Sequence, residues 1–361
     1  MLDKIRLGVV GLGSRGRTML DLALKVEGIE AAALCDCNPD LLDSLKEKYL
    51  QAVFFADFKE MLSSAKIDAL LVETPAASHA EFCAAGLRHD VHVLSDIPPV
   101  DSSSEAEMLW RCSKDSKAMF MCGANPNYWG FVEALADFKQ KGLLGKPYYL
   151  EAEYIHDIRH LFEKTPWRKN YASIKYCTHS LGPLLSILDE DLRSVVCVDT
   201  GSHVSGEPYA HDAQIALYKT PGNVVVRQTC SFITHGPQGH SYKVYGTKGY
   251  FERLNKRGPI ADHVLFKSTD EPWNGQLQAL AVGTKPEGLD AMLPKDLQGC
   301  LGHGGADEYL AFTFINALRN GAKQAPIDLR AGLRMTLPGI FAAESARLGG
   351  KPVEITYPWD R

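Results

Sequence analysis

The sequence predicts an α/β protein of two domains. A doubly wound parallel sheet is expected over residues 1–124, then an α+β domain with a mostly antiparallel open sheet over residues 125–361. Three observations predict it. Strand-like and helix-like runs alternate as far as Asn125, strand-like runs then follow one another through short turns, and a glycine-rich turn joins the first strand to the first helix. The length agrees, since 361 residues exceed what one compact core usually holds.

In chain order, IRLGVVGLG reads as a short apolar strand and RTMLDLALKV as a helix. IEAAALCD is a second strand, LLDSLKEKYL a helix and IDALLVETP a later strand. HAEFCAAGLRH is a helix leading into the strand VHVLSD, and EAEMLWRCSKDS another before AMFMCGAN. That repeat is the pattern of a parallel sheet with helices on its faces. Beyond Asn125, PYYLEAEYIHD, DAQIALYKT, NVVVRQTCSFI, SYKVYGT and GYFERLN read as strands. Turns such as TPGN and GTKG between them favour antiparallel pairing. Helical runs at LLSILD, DEYLAFTFINALRNG and RAGLRMTLPGIFAAESARLGG are expected to cover one face of that sheet. The stretch from about 256 to 303, rich in Gly and Pro, reads as a long functional loop.

Composition narrows the function classes. Apolar content of 45% and charge of 23% are ordinary for a globular protein. A net charge of -5 offers no basic field for nucleic acid or an anionic membrane surface. No apolar run nears the roughly 18 residues that span a bilayer. The opening MLDKIRLGVVG leaves no room for a signal peptide, so a cytoplasmic protein is expected. Nine cysteines, odd in number and without a CxxC pair, are expected as mostly buried free thiols. No metal site is expected, because the chain has no HExxH motif.

Gly11-Leu12-Gly13-Ser14-Arg15-Gly16 is a GxGxxG between strand and helix. Gly11 permits the tight turn, Gly13 lets backbone N–H groups approach a pyrophosphate, and Gly16 lets the helix pack on the strand. Ser14 and Arg15 open the helix whose N-terminus would face the anion. Asp36 stands 20 residues beyond Gly16, where an acid accepts the ribose hydroxyls and repels a 2′-phosphate. NAD is therefore expected over NADP, although Arg15 and Arg17 place cations nearby. A glycine turn without a ligand is the alternative.

With GLGSRG, CDCNPD, ETPAASHAEFCAAGL, HVLSDIPPV and the return to an antiparallel sheet near KPYYLEAEY, the chain resembles the Gfo/Idh/MocA family along its length. The resemblance implies oxidation or reduction of a secondary alcohol on a sugar or cyclitol with NAD or NADP. It implies that Thr74, Pro75 and His79 line the nicotinamide side, with Asp96 and Pro98 shaping the neighbouring turn. It also implies a homodimer or homotetramer paired through the open sheet. Two departures stand out. Ile97 occupies the place of the family's proton-handling lysine, and the usual Asp-x-x-x-His of the second domain is missing. The branch of NAD-dependent α-N-acetylgalactosaminidases is similar in both respects. It shares Thr178-His179-Ser180-Leu181-Gly182-Pro183 and His303-Gly304-Gly305-Ala306-Asp307.

Alcohol oxidation needs a proton acceptor. His179 is the expected base, because imidazole titrates near neutrality, with Tyr176 three residues before it as partner. A core histidine satisfied by backbone is the alternative. Substrate contacts are expected from Tyr154 and His156, beside Asp157, and from Trp167 and Arg168. His303 and Asp307 join them, while His211 and Asp212 read as structural. Three functions compete. They are glycoside cleavage through transient C3 oxidation and elimination, a simple sugar or cyclitol dehydrogenase releasing a ketosugar, and a cofactor-binding regulatory protein without catalysis.

Overall fold

The computed structural model describes residues 4–206, 211–253, 263–268, 278–281, 293–298 and 302–360. The chain divides into two compact units, Met1–Asn125 with Gly288–Leu333 and Pro126–Glu287 with Arg334–Arg361.

In the first unit, strands β1 (Ile5–Val10), β2 (Ile29–Cys35), β3 (Val53–Phe55), β4 (Ala69–Val72), β5 (His92–Ser95) and β6 (Phe120–Cys122) form one parallel sheet. Its order is β3-β2-β1-β4-β5-β6. The central strands are continuous apolar runs because both faces are covered: all four residues of β4 are buried, and five of six in β1. The strand order reverses between β1 and β4, where ligands bind in sheets of this kind.

Helices α1 (Ser14–Leu24), α2 (Pro39–Leu45), α3 (Phe58–Ser64), α4 (Ala76–Arg88) and α5 (Ser103–Asp115) connect them. Side-chain caps set several boundaries. Asn38 accepts from the Asp40 and Leu41 amides, Asp57 from Glu60, and Ser102 from Glu105. Helix α2 stops at Leu45, short of the LLDSLKEKYL run expected from sequence.

The second unit carries helices α6 (Gly130–Gln140) and α7 (Thr178–Leu185) and a nine-stranded sheet. Its strands are β7 (Pro147–Ile155), β8 (Ser194–Asp199), β9 (Ala213–Lys219), β10 (Val225–Ser231), β11 (Gly239–Gly246), β12 (Gly249–Arg253), β13 (His263–Ser268), β14 (Gln278–Ala281) and β15 (Val353–Glu354). The order β14-β13-β12-β11-β7-β10-β9-β8-β15 is antiparallel throughout except for β7 beside β10. Strands β13 and β14 lie inside the stretch expected as a loop, and extend the sheet edge instead.

One face of this sheet packs on helices: Phe131 of α6 sits 4.6 Å from the Tyr242 ring, and Phe138 5.9 Å from Phe251. The opposite face carries Glu151, Glu153, Arg227 and Lys243 as an ion-pair network, with Val196, Val198 and Leu217 exposed on β8 and β9.

Two further helices complete the chain, α8 (Ala306–Arg319) and α9 (Leu329–Arg347). Helix α8 belongs to the first unit, although its amphipathic run reads from sequence as cover for the second sheet. Its Ala311, Phe314 and Ile315 line one small packing gap with Met19, Ala23, Leu7, Leu71 and Leu94. An apolar stripe requires a covering surface without specifying which sheet supplies it.

Among the described residues all cysteines are free thiols; six are buried, Cys112 is half-buried and Cys37 exposed. Cys300 lies outside the described residues. No described helix is long and apolar enough to cross a membrane. Among the described residues no group of three or more His, Cys, Asp or Glu side chains is placed to hold a metal ion.

Candidate active site

The ends of β1, β2, β4 and β5 in the first unit carry Gly11, Asp36, Glu73 and Asp96. Gly11 has φ +90°, and a β-carbon there would lie 2.6 Å from the Glu73 carbonyl oxygen. At Gly16 a β-carbon would fall 1.9 Å from the Gly11 carbonyl oxygen. A β-carbon at Gly13 would meet nothing within 4 Å. Gly13 caps α1 with no side-chain hydrogen bond, so the first amides of α1, from Ser14 onward, remain available to an anion. The Asp36 carboxylate accepts from the Leu12 amide at 2.7 Å and the Asn38 amide at 2.9 Å, which fixes it at the tip of β2 beside the turn. Open space at the turn, unused helix amides and an oriented acid together fit an NAD pyrophosphate and ribose. Gly16→Ala is expected to raise the dissociation constant for NAD at least about tenfold, because the clash is with backbone that cannot swing aside. Titration of NAD by calorimetry checks it, and unchanged affinity would refute it.

Arg15 points elsewhere. Its guanidinium pairs with Asp307 at 2.7 Å and faces Glu73 at 3.8 Å and Asp96 at 3.9 Å. Burial opposes its charge, but the three carboxylates together raise its pKa above the ordinary arginine value. Asp307 is 1% exposed and accepts from Asn125 at 3.0 Å as well as from His303 at 2.7 Å. The carboxylate read from sequence as a substrate contact is thus committed to partners inside the first unit. His303, Gly304 and Gly305 all hold positive φ, 49°, 71° and 95°, and this turn brings the His303 ring back onto Asp307.

Glu73 is the unforeseen member of the cluster. One carboxyl oxygen is buried without a hydrogen-bond partner. Burial, and then the charge of Asp96, push its carboxyl well above the usual carboxylate range, against the pull of Arg15. A raised carboxyl costs nothing below the unfolded value near 4.3 and increasingly destabilises as pH rises through the folded value. Glu73→Gln is therefore expected to gain melting temperature relative to the parent as pH goes from 5 to 9. Melting curves at both ends check it, and a constant difference would refute the assignment.

His79 ties two of these strand ends together. Its Nδ1 lies 2.8 Å from the Pro98 carbonyl oxygen and its Nε2 2.5 Å from that of Thr74. The Thr74 hydroxyl accepts from Ser78, and Pro75 caps α4. Ile97 is buried at 3% exposure, joined to Pro98 by a cis peptide.

The second unit assembles a cup of imidazoles and phenols. Tyr154, at the end of β7, is at its centre: its ring lies 5.7 Å from His156, 5.7 Å from Tyr176, 5.3 Å from His179 and 4.7 Å from His240. Its hydroxyl is 2.9 Å from His156 Nδ1. Burial pushes the Tyr154 phenol well above its ordinary pKa, so it stays protonated. Tyr176 ends a short 3₁₀ turn, Ser173–Tyr176, that leads into α7 and sets its ring 5.1 Å from His179. The Arg168 guanidinium stands over Tyr176 at 5.3 Å and over Trp167 at 4.5 Å. Trp167 in turn meets Tyr171 edge-on.

Backbone chemistry explains the THSLGP run. Pro183 has no N–H, so it cannot take the carbonyl of His179 four residues back. The Tyr242 hydroxyl donates to that carbonyl instead, at 2.6 Å. His179 is held through its backbone, and its ring is left to the cup.

The sequence of the first unit matches the Gfo/Idh/MocA "Oxidoreductase family, NAD-binding Rossmann fold" over residues 5–124. The second matches the "GFO/IDH/MocA C-terminal domain" over residues 132–252. The chain belongs to the Gfo/Idh/MocA oxidoreductase family. The chain is similar to "Glycosyl hydrolase family 109 protein 1" of Bacteroides fragilis, 23% identical over 91% of this chain and 79% of that protein. It is also similar to a glycosyl hydrolase family 109 protein of Saccharopolyspora erythraea, 24% identical over 98% and 83%. A solved levoglucosan dehydrogenase in complex with NADH shares the fold, with a TM-score of 0.79, 15% identity and coverage of 98% and 100%.

Within this Gfo/Idh/MocA oxidoreductase, four residues near the candidate groups escaped the sequence reading: Glu73, Trp129, His240 and Tyr242. His240 lies on β11 directly opposite Tyr154 of β7, and its ring is 5.1 Å from Trp129. Nothing local marks such a residue, because cross-strand register joins positions 86 apart in sequence. Glu73 did have a signal: a lone acid directly after the apolar β4 and before Thr74-Pro75.

Proposed function

We propose that this NAD-dependent oxidoreductase acts on a sugar or glycoside, and that it cleaves glycosides through transient oxidation at C3 and elimination. The cup carries the reading. Tyr154, His156, Tyr176 and His179 converge with no lysine among them, while Ile97 leaves the family's lysine position without a titratable group. NAD, when bound, accepts a hydride from the carbinol carbon and can return it. His179 takes the proton of the hydroxyl, with Tyr176 packed on its ring to orient it. Trp167 and Arg168, joined to the cup through Tyr176, form an aromatic and cationic wall suited to a sugar ring and its hydroxyls. Gly11, Gly13, Ser14, Gly16 and Asp36 hold the dinucleotide; Thr74, Pro75, His79, Asp96 and Pro98 shape its nicotinamide end. His303 and Asp307 act through Arg15.

The C3 ketone acidifies the C2 proton. Its removal expels the group on C1, water adds back, and the alcohol is restored. No glycosidase-type carboxylate pair is required. The names of the family 109 relatives are consistent with this chemistry. The test is a panel of 4-nitrophenyl glycosides, the α-N-acetylgalactosaminide, α-galactoside and α-glucoside, with NAD. Nitrophenol release without net NADH supports the reading; NADH accumulating in proportion to substrate would mean a simple dehydrogenase releasing a ketosugar.

The free thiols suit a reducing compartment, the cytoplasm. Val196, Val198 and Leu217 on the open sheet face support pairing of copies as a homodimer or homotetramer.

A further inference from the structure

We propose that His240 is a second catalytic base, dedicated to the C2 proton, while His179 serves the C3 hydroxyl. The inference rests on the glycoside-cleavage reading and adds the residue that this reading lacks. Two hydrogens leave the substrate as protons, one from O3 on oxidation and one from C2 on elimination. An imidazole that has taken the first cannot take the second until it is discharged. A second acceptor in the same cup removes that constraint.

The cup contains few groups able to act. The Tyr154 phenol is held protonated by burial, and the Nδ1 of His156 is engaged with the Tyr154 hydroxyl. His240 remains. Its ring stacks with that of His179 at 6.0 Å, the planes 29° apart, and both imidazoles meet the Tyr154 ring edge-on. The two imidazoles thus share one aromatic neighbour and lie within about one ring's reach of each other, so that one sugar held against His179 also meets His240. His240 is half-buried, and its carbonyl accepts from Arg253 Nη1 at 2.8 Å, which holds β11 in place beneath the ring. Trp129 meets the His240 ring edge-on at 5.1 Å.

The step balances without further reagents. The C2–H bond breaks with its proton going to His240, its electron pair becomes the C1–C2 double bond, and the C1–O bond breaks with the pair leaving on oxygen. Water then adds at C1, its oxygen bonding to C1 and its spare proton going to the departed oxygen anion, while the C1–C2 double-bond pair takes the proton held by His240 back onto C2.

The test compares the parent, His240→Asn and His240→Gln, each loaded with NAD, on the same 4-nitrophenyl glycosides in heavy water. Exchange at C2 is followed by NMR, nitrophenol release at 400 nm and reduced cofactor at 340 nm. Melting temperature and binding of the glycoside to cofactor-free protein are followed by tryptophan fluorescence. The expected result is loss of both C2 exchange and release by about 100-fold or more in the variants, with NADH building up toward one per protein and glycoside binding retained. Variants that keep exchange and release near the parent rate overturn His240 and leave the cleavage reading standing. Variants that lose glycoside binding and melting temperature together also overturn it, in favour of a structural role. A parent with no C2 exchange on any glycoside of the panel overturns the cleavage reading itself, and His240's role with it.

Discussion

His179→Ala is expected to lower glycoside turnover by about 10²–10⁴-fold, the range for removing a positioned acid–base group. The side chain is the functional part of this residue. Its carbonyl is gripped by Tyr242, so the backbone of α7 stays anchored when the ring is gone. What disappears is an imidazole facing Tyr154, Tyr176 and His240 at 5.1–6.0 Å. NAD affinity is expected to stay unchanged, since the dinucleotide groups belong to the other unit. Steady-state release of nitrophenol alongside NAD calorimetry checks both halves. Turnover within about tenfold of the parent would remove His179 from the catalytic group.

Asp307→Ala is expected to cost about 3 kcal/mol, the lower end for breaking a buried pair, because Arg15 keeps 24% of its side chain exposed. The substitution strands Arg15 among acids that do not hydrogen-bond it and removes the acceptor for both Asn125 and His303. At roughly 2–4 °C per kcal/mol, melting should fall by about 6–12 °C. The pH dependence has a definite sign. Burial works against the Asp307 charge, but the His303 hydrogen bond and Arg15 outweigh it and hold the carboxyl well below the usual range. Its stabilisation is complete above the unfolded value near 3.9 and is lost as pH falls toward the folded one. The gap between parent and variant should therefore be full at pH 7 and shrink below pH 4. Chemical denaturation across that range measures it, and a gap that widens in acid would contradict the pair.

The parallel sheet was legible because its strands are buried on both faces and read as unbroken apolar runs. The fingerprint turn was legible because its glycines answer to contacts within the turn itself. Strand β3 and helix α3 were not read: three residues of VFF show no period, and seven residues make barely two turns. Asp57 and Glu60 were the available sign, an acid capping a helix with a second acid at its third position. The cup was legible only in part. Residues 176–183 are contiguous, so His179 and Tyr176 stood out together, whereas His240 and Tyr242 join them through the pairing of β11 with β7. The residence of α8 in the first unit was hidden for a related reason, since the contact is made after about 160 intervening residues.

That return has a consequence for biosynthesis. A ribosome adding about 5–20 residues per second makes the segment between Asn125 and Gly288 in roughly 8–32 s. Throughout that interval the Met19 and Ala23 side of α1 awaits Ala311, Phe314 and Ile315. The nascent first unit is thus an unfinished body with a greasy flank, completed only after the second unit has largely emerged. A release of the chain at residue 124 should yield an aggregation-prone product, whereas co-expression of a peptide spanning 302–333 should rescue its solubility.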